Sequence, residues 1–108
     1  MTAATAVADL PAVPLTVLDF TEARNATRLL RPVTEAARAA FPDVPLRLYL
    51  EANPELADEK RVIVEVDVTG WSAEAMNDAY DQWVREVFQT CGPGQVVSVF
   101  QLRMTETP

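Results

Sequence analysis

Two stretches of the chain alternate cleanly between apolar and polar positions, and two others repeat their apolar positions at intervals of three and four. Leu46, Leu48 and Leu50 share one face of a predicted strand, with Arg47, Tyr49 and Glu51 on the other. Val62, Val64, Val66 and Val68 do the same against Ile63, Glu65 and Asp67. Placing Leu50 opposite Val62 also sets Leu48 on Val64 and Leu46 on Val66. On the other face that register gives Glu51–Arg61, Tyr49–Ile63 and Arg47–Glu65, so each cross-strand pair is apolar with apolar or acid with base. Ala52 to Lys60 reads as a polar hairpin loop in which Asn53 and Pro54 cap one helical turn.

The helical repeats flank this hairpin. Ala23, Ala26, Leu29/Leu30, Val33, Ala36/Ala37 and Ala40/Phe41 form one apolar stripe, with Asp19 as the expected N-cap and Glu22 in the first turn. Pro32 falls inside the stripe without breaking its phase, which predicts one continuous helix bent at the proline. Met76, Ala79/Tyr80, Trp83/Val84, Val87/Phe88 and Cys91 form the second stripe. Ser72 is its expected N-cap, Trp71 can staple onto Met76, and Gly92-Pro93-Gly94 stops it. Trp83 and Phe88 are expected to be buried against the valine face. Leu15–Leu18 reads as a short strand and Val96–Leu102 as the last one.

The resulting fold class is α+β: a two-layer sandwich in the ferredoxin-like order βαββαβ, or αββαβ if the first strand does not pair. Two helices would cover one face of an antiparallel sheet of three or four strands. Residues 1–13 are expected as a disordered or extended tail, 14–103 as a single domain and 104–108 as a C-terminal tail. The 108 residues suffice for one hydrophobic core.

Charge narrows the function. The net charge of −7 disfavours a nucleic-acid partner, whose phosphates call for Lys and Arg. Acids and arginines balance over residues 1–50, so the whole excess belongs to residues 51–108. The start of the chain has no basic, apolar leader and no stretch long enough to span a bilayer, giving the expectation of a cytoplasmic chain without a membrane partner. The absence of histidine excludes imidazole metal sites and histidine-dependent triads. Three glycines, two of them flanking Pro93, make no phosphate loop. Acylphosphatases and copper chaperones share the predicted element order, but neither the former's glycine-rich arginine loop nor the latter's paired cysteines are present. No cofactor is expected.

Four groups of residues are candidates for a role, each with a plainer alternative. Cys91, the single thiol, lies on an apolar stripe at a helix C-terminus, where the dipole opposes a thiolate, so it reads as a small core residue. Glu51, Glu55, Asp58 and Glu59 lack the spacing of a calcium loop and read as solvated. Arg47, Tyr49, Glu65 and Asp67 share the open sheet face, where they suit a small-molecule site or cofactor-free acid–base chemistry; a half-solvated sheet shows the same alternation. That face offers no aromatic on the strand Arg61–Val68, unlike a sheet that stacks RNA bases. The helix backs carry like charges in rows, Arg24, Arg28 and Arg31 on the first and Glu74, Asp78 and Asp81 on the second. Such rows cost a little stability through repulsion; the plainer reading is an ordinary solvated helix face, and the functional one a charged docking surface for a partner or a second copy. The leading expectation is a non-enzymatic, acidic protein-interaction or accessory domain, whose partner is a protein and includes a second copy in a homodimer.

Overall fold

The computed structural model describes residues 12–53, 56–92 and 94–107, leaving most of the expected N-terminal tail, Pro54, Glu55 and Pro93 outside the description. Its elements are α1 (Leu15–Ala23), a single 3₁₀ turn (Thr27–Leu29), α2 (Leu30–Ala40), β1 (Leu46–Asn53), β2 (Leu56–Asp67), α3 (Ala73–Cys91), α4 (Gly94–Val99) and β3 (Phe100–Thr105).

The β1–β2 hairpin keeps the register expected from the alternation, from Leu46 opposite Val66 to Glu51 opposite Arg61. The strands continue where a loop with a helical turn was expected: Ala52 pairs with Lys60 and, after a bulge, Asn53 with Leu56. β2 is the central strand, and β3 lies beside it in parallel, with Val62 opposite Phe100 and Val66 opposite Met104.

The sheet is therefore mixed, and the expected ferredoxin-like antiparallel layout is overturned. The cause is the first element. In that layout a strand preceding the first helix would separate the two strands joined by α3. Here Leu15–Leu18 is part of α1. β2 and β3 pair directly, and a strand–helix–strand connection between neighbours must be parallel. The four residues Leu15-Thr-Val-Leu18 are too few to distinguish strand from helix by periodicity. Pro14 stands extended at the N-cap, and the helical spacing buries Val17 and Thr21 together.

The long first helix is also broken, at Asn25 rather than bent at Pro32. Asn25 adopts the left-handed conformation (φ 55°), and Ala26 donates its N–H to the Thr21 carbonyl at 2.7 Å, closing α1. Asp19, expected as an N-cap, lies within α1. Pro32 is the third residue of α2, in the first turn, where a missing N–H costs no intrahelical bond. The second helix keeps its expected start, since Ser72 Oγ accepts the Ala75 N–H at 3.0 Å, and it ends at Gly92 with φ 78°. Trp71 stacks on Phe41, with ring centroids 5.6 Å apart.

The third difference is α4, where a strand was expected from Val96. β-branched residues favour strands only where a pleated surface receives them. Here Val96 and Val99, one turn apart, are buried together. Gln95 holds the turn in place, donating Nε2–H to the Arg24 carbonyl at 2.6 Å and accepting from Arg28 at 3.1 Å. β3 begins only at Phe100 and runs to Thr105, two residues into the segment expected as a tail.

One core joins Val17 of α1, Leu30, Val33 and Ala37 of α2, Trp83 and Val87 of α3, and Val96 and Val99 of α4. They meet Leu48, Val62, Val64, Val66, Phe100 and Leu102 on one face of the sheet. Trp83 is buried as expected and donates its indole N–H to the Val33 carbonyl at 3.2 Å, tying α3 to α2. Phe88 is not: it is 39% exposed.

Candidate functional site

The open sheet face brings three of its four candidate residues together. Arg47 donates Nε–H to Glu65 Oε1 at 2.6 Å, and its guanidinium lies 5.0 Å above the Tyr49 ring. The Tyr49 hydroxyl donates to Glu65 Oε2 at 2.9 Å and accepts from Arg103 at 3.0 Å. Arg103 also makes a two-pronged pair with Glu51, one arm at 2.6 Å. Because Arg103 is on β3 and Glu51 on β1, that side chain crosses β2 over Ile63, which is left 1% exposed on the nominally open face. Of the cross-strand pair Tyr49 and Ile63, the network thus covers Ile63 and leaves Tyr49 half-buried. Sequence periodicity places Arg47, Tyr49 and Glu65 on one face but not Arg103, which lies beyond the expected last strand, Val96–Leu102, and within the observed one.

The fourth residue, Asp67, belongs to a separate cluster. It accepts from the Thr69 backbone N–H at 3.0 Å, from the Thr69 hydroxyl, and from the Thr107 hydroxyl at 2.7 Å. This fastens the end of the chain to the β2–α3 turn.

The electrostatics follow from these bonds. The Arg47 hydrogen bond, assisted by that from Tyr49, holds the Glu65 carboxyl below the usual carboxylate range against the opposing effect of burial. Arg103 does the same to Glu51, and the Thr69 and Thr107 hydroxyls to Asp67. Burial, ahead of the Glu65 hydrogen bond, pushes the Tyr49 phenol up. A carboxylate held ionised and already bonded is a weak proton acceptor at neutral pH. The face is a mutually satisfied network bracing three strands.

The charged helix rows fare differently. The break at Asn25 distributes Arg24, Arg28 and Arg31 over three elements. Arg24 caps α1 with its guanidinium 4.8 Å above the Phe20 ring. Arg28, in the 3₁₀ turn, is engaged with Gln95 and the Asn25 carbonyl. Arg31, in α2, pairs with Glu35 at 3.4 Å. No single arginine ridge exists to meet an acidic one. Glu74, Asp78 and Asp81 remain exposed on one helix, α3.

Burial raises the Cys91 thiol, in keeping with a packed side chain. Among the described residues no cluster of three or more Asp, Glu or Cys side chains is placed to hold a metal ion, and no helix is long and apolar enough to cross a membrane.

The surface feature that sequence reasoning missed is a hollow of about 230 Å³ between α3, α4 and β3. Tyr80, Val84 and Phe88, at intervals of four along α3, form one wall, Val97 of α4 another, and Phe100 and Leu102 of β3 the floor. Trp83, Val96, Arg61 and Gln101 complete its lining, Arg61 being the one charged residue among them. Tyr80 is 40% exposed and Val97 55%. Val97 joins this lining from a helical turn, where a strand was expected from Val96.

The chain matches no protein-family model, no curated protein and no solved structure.

The floor of the hollow is an edge strand. Among the described residues, no hydrogen bond from outside the sheet reaches the backbone of β3, apart from the Val68 N–H on the Thr105 carbonyl. Natural sheet edges are usually blunted by an outward charge, a proline or a bulge. β3 has neither proline nor bulge, and Arg103 is drawn inward across the sheet to Glu51.

Proposed function

We propose that this chain is a non-enzymatic protein-interaction domain that receives its partner in the hollow between α3, α4 and β3. One observation carries the reading. Among the described residues, four large apolar side chains are exposed, and three of them, Tyr80, Phe88 and Val97, line this single hollow. Scattered apolar residues on a surface need no explanation, whereas a concave cluster beside a free strand edge has the composition of an interaction site. The acidic surface of the second half supports a role in selecting the partner by charge. The competing reading, small-molecule binding or cofactor-free chemistry on the sheet face, loses support because Arg47, Tyr49 and Glu65 are occupied with one another.

The test compares tagged wild-type chain with Phe88→Asp and Val97→Asp in lysate from the native source, with Arg47→Ala as a control on the sheet face. Proteins retained by wild type and by the control, and lost from both hollow variants, are expected. A partner retained by the two hollow variants and lost from the control would overturn the reading.

A further inference from the structure

We propose that the occupant of the hollow is a second copy of this chain, set edge to edge along β3 about a two-fold axis that passes between the two Leu102 residues. This inference rests on the hollow being the binding surface, and adds to it the identity of what binds.

The strand edge is complementary to itself in one register. A two-fold axis makes the two β3 strands antiparallel, and an antiparallel pair sets side chains of one face directly opposite each other. Centred on Leu102, the pairing brings Phe100 opposite Met104 of the second copy, Leu102 opposite its own equivalent, and Gln101 opposite Arg103. Each apolar residue then meets an apolar one, and no charge meets its like. Centred on Arg103, the strand would set that arginine against itself. Centred on Gln101, it would leave Met104 facing Ser98, which belongs to α4.

The helix row beside the edge has the same property. Tyr80, Val84 and Phe88 stand at equal intervals, so an axis near Val84 carries Tyr80 of one copy to Phe88 of the other. Asp81 precedes Val84 by three residues and Arg85 precedes Phe88 by three, so each borders the row. Both are exposed, and among the described residues neither belongs to an ion pair. Antiparallel alignment of the two α3 helices carries Asp81 of each copy to Arg85 of the other, two pairs of opposite sign in one dimer. Val84 and Leu102 line the same hollow, so one axis serves helix and strand together.

A strand from another protein would also cover the edge. A two-fold interface asks more of one surface: apolar positions and opposite charges that match when the surface is turned on itself. β3 and α3 meet that condition about one centre. The net charge of −7 on each copy opposes association, but at physiological salt such repulsion is screened beyond about 8 Å. The charges around the hollow are of both signs, Arg61 and Arg85 with Asp81.

The test is sedimentation of the full chain at physiological salt over concentrations from about 1 µM to about 1 mM. A concentration-dependent dimer is expected, in which the amide protons of residues 100–105 exchange more slowly than in the monomer. Phe88→Asp and Val97→Asp, each confirmed as folded by circular dichroism, should sediment as monomers. Asp81→Arg gives a copy with two positive charges beside the row, and Arg85→Asp one with two negative charges. Each alone should associate at least about fivefold more weakly than wild type, and an equal mixture of the two should recover the wild-type affinity.

A monomer at every concentration overturns the second copy; the hollow then stands or falls separately, on whether the same two hollow variants lose a partner captured from lysate. A dimer indifferent to Phe88→Asp and Val97→Asp overturns the hollow as its interface. A dimer that those variants dissociate, but without slowed exchange in β3 or recovery in the mixture, overturns the two-fold alignment proposed.

Discussion

Trp83 does two jobs that a smaller apolar residue cannot combine. It fills the space between α3, α2 and the sheet, and its indole N–H reaches the Val33 carbonyl. Trp83→Ala is expected to lower stability by about 3–5 kcal/mol, measured by urea denaturation. Ile63 is a less obvious core residue, because its burial comes from the polar ladder above it rather than from a helix layer. Ile63→Ala should cost about 2–5 kcal/mol, as for other buried aliphatic truncations; a change within about 0.5 kcal/mol would place it among surface substitutions. The same ladder sets the acid response. Glu65, Glu51 and Asp67 all have carboxyls below their ordinary range in the folded chain. Their stabilising contribution is complete above the unfolded carboxylate range, around pH 4–5, and is lost as pH falls through the lower folded values. Stability should therefore decline on acidification below about pH 5, and Glu65→Gln should flatten that decline when melting temperature is followed from neutral to acid pH.

At the scale of elements, the decisive position of the N-terminal half is Asn25. A left-handed residue ends α1 and lets the 3₁₀ turn and α2 set off in a new direction. Asn25→Gly should be tolerated, whereas Asn25→Val should cost about 1–2 kcal/mol, because a β-branched side chain is disfavoured at positive φ. Thermal melts of the two variants check the sign. Pro32 carries the opposite expectation. In the first turn of α2 it removes no helical hydrogen bond, so Pro32→Ala should change stability by no more than about 1 kcal/mol and leave the helix direction unaltered. Apolar phase continues across Asn25 because Ala26 and Leu29 are buried in the same core after the break as they would be without it. That continuity is why the helix reads as unbroken in sequence. α4 illustrates the converse, since Gln95, anchored to Arg24 and Arg28, fixes a valine-rich turn that propensity alone assigns to a strand.

For the molecule as a whole, β3 closes the core from a distance. It supplies Phe100 and Leu102 to the cluster, brings Arg103 over Ile63, and ends in the Thr107 contacts that fasten the β2–α3 turn. Deleting residues 100–108 should abolish cooperative folding. The deletion removes two core side chains, worth about 1.5–3 kcal/mol each, and leaves the central strand as an open edge. Circular dichroism melts would then show no sharp transition. A retained transition would mean that the hairpin and helices form a complete core without β3.

The sequence by itself determined the hairpin, down to its register, because a period of two with complementary pairs on both faces penalises every slip. It also determined α3, from its Ser72 cap to its glycine stop, and the burial of Trp83, since a long stripe of period 3.6 bounded by caps has one interpretation. Within the sheet-face group it indicated the meeting of Arg47, Tyr49 and Glu65, which adjacent strands in a fixed register bring together. Tertiary structure decided the rest. Leu15–Leu18 and Val96–Val99 are short apolar runs whose local preferences do not choose between strand and helix, so the space beside the sheet chose for them. The choice at α1 made β2 and β3 neighbours and therefore parallel. The choice at α4 turned Val97 into the hollow under α3, and the candidate interaction site exists only because both choices fell on the helix.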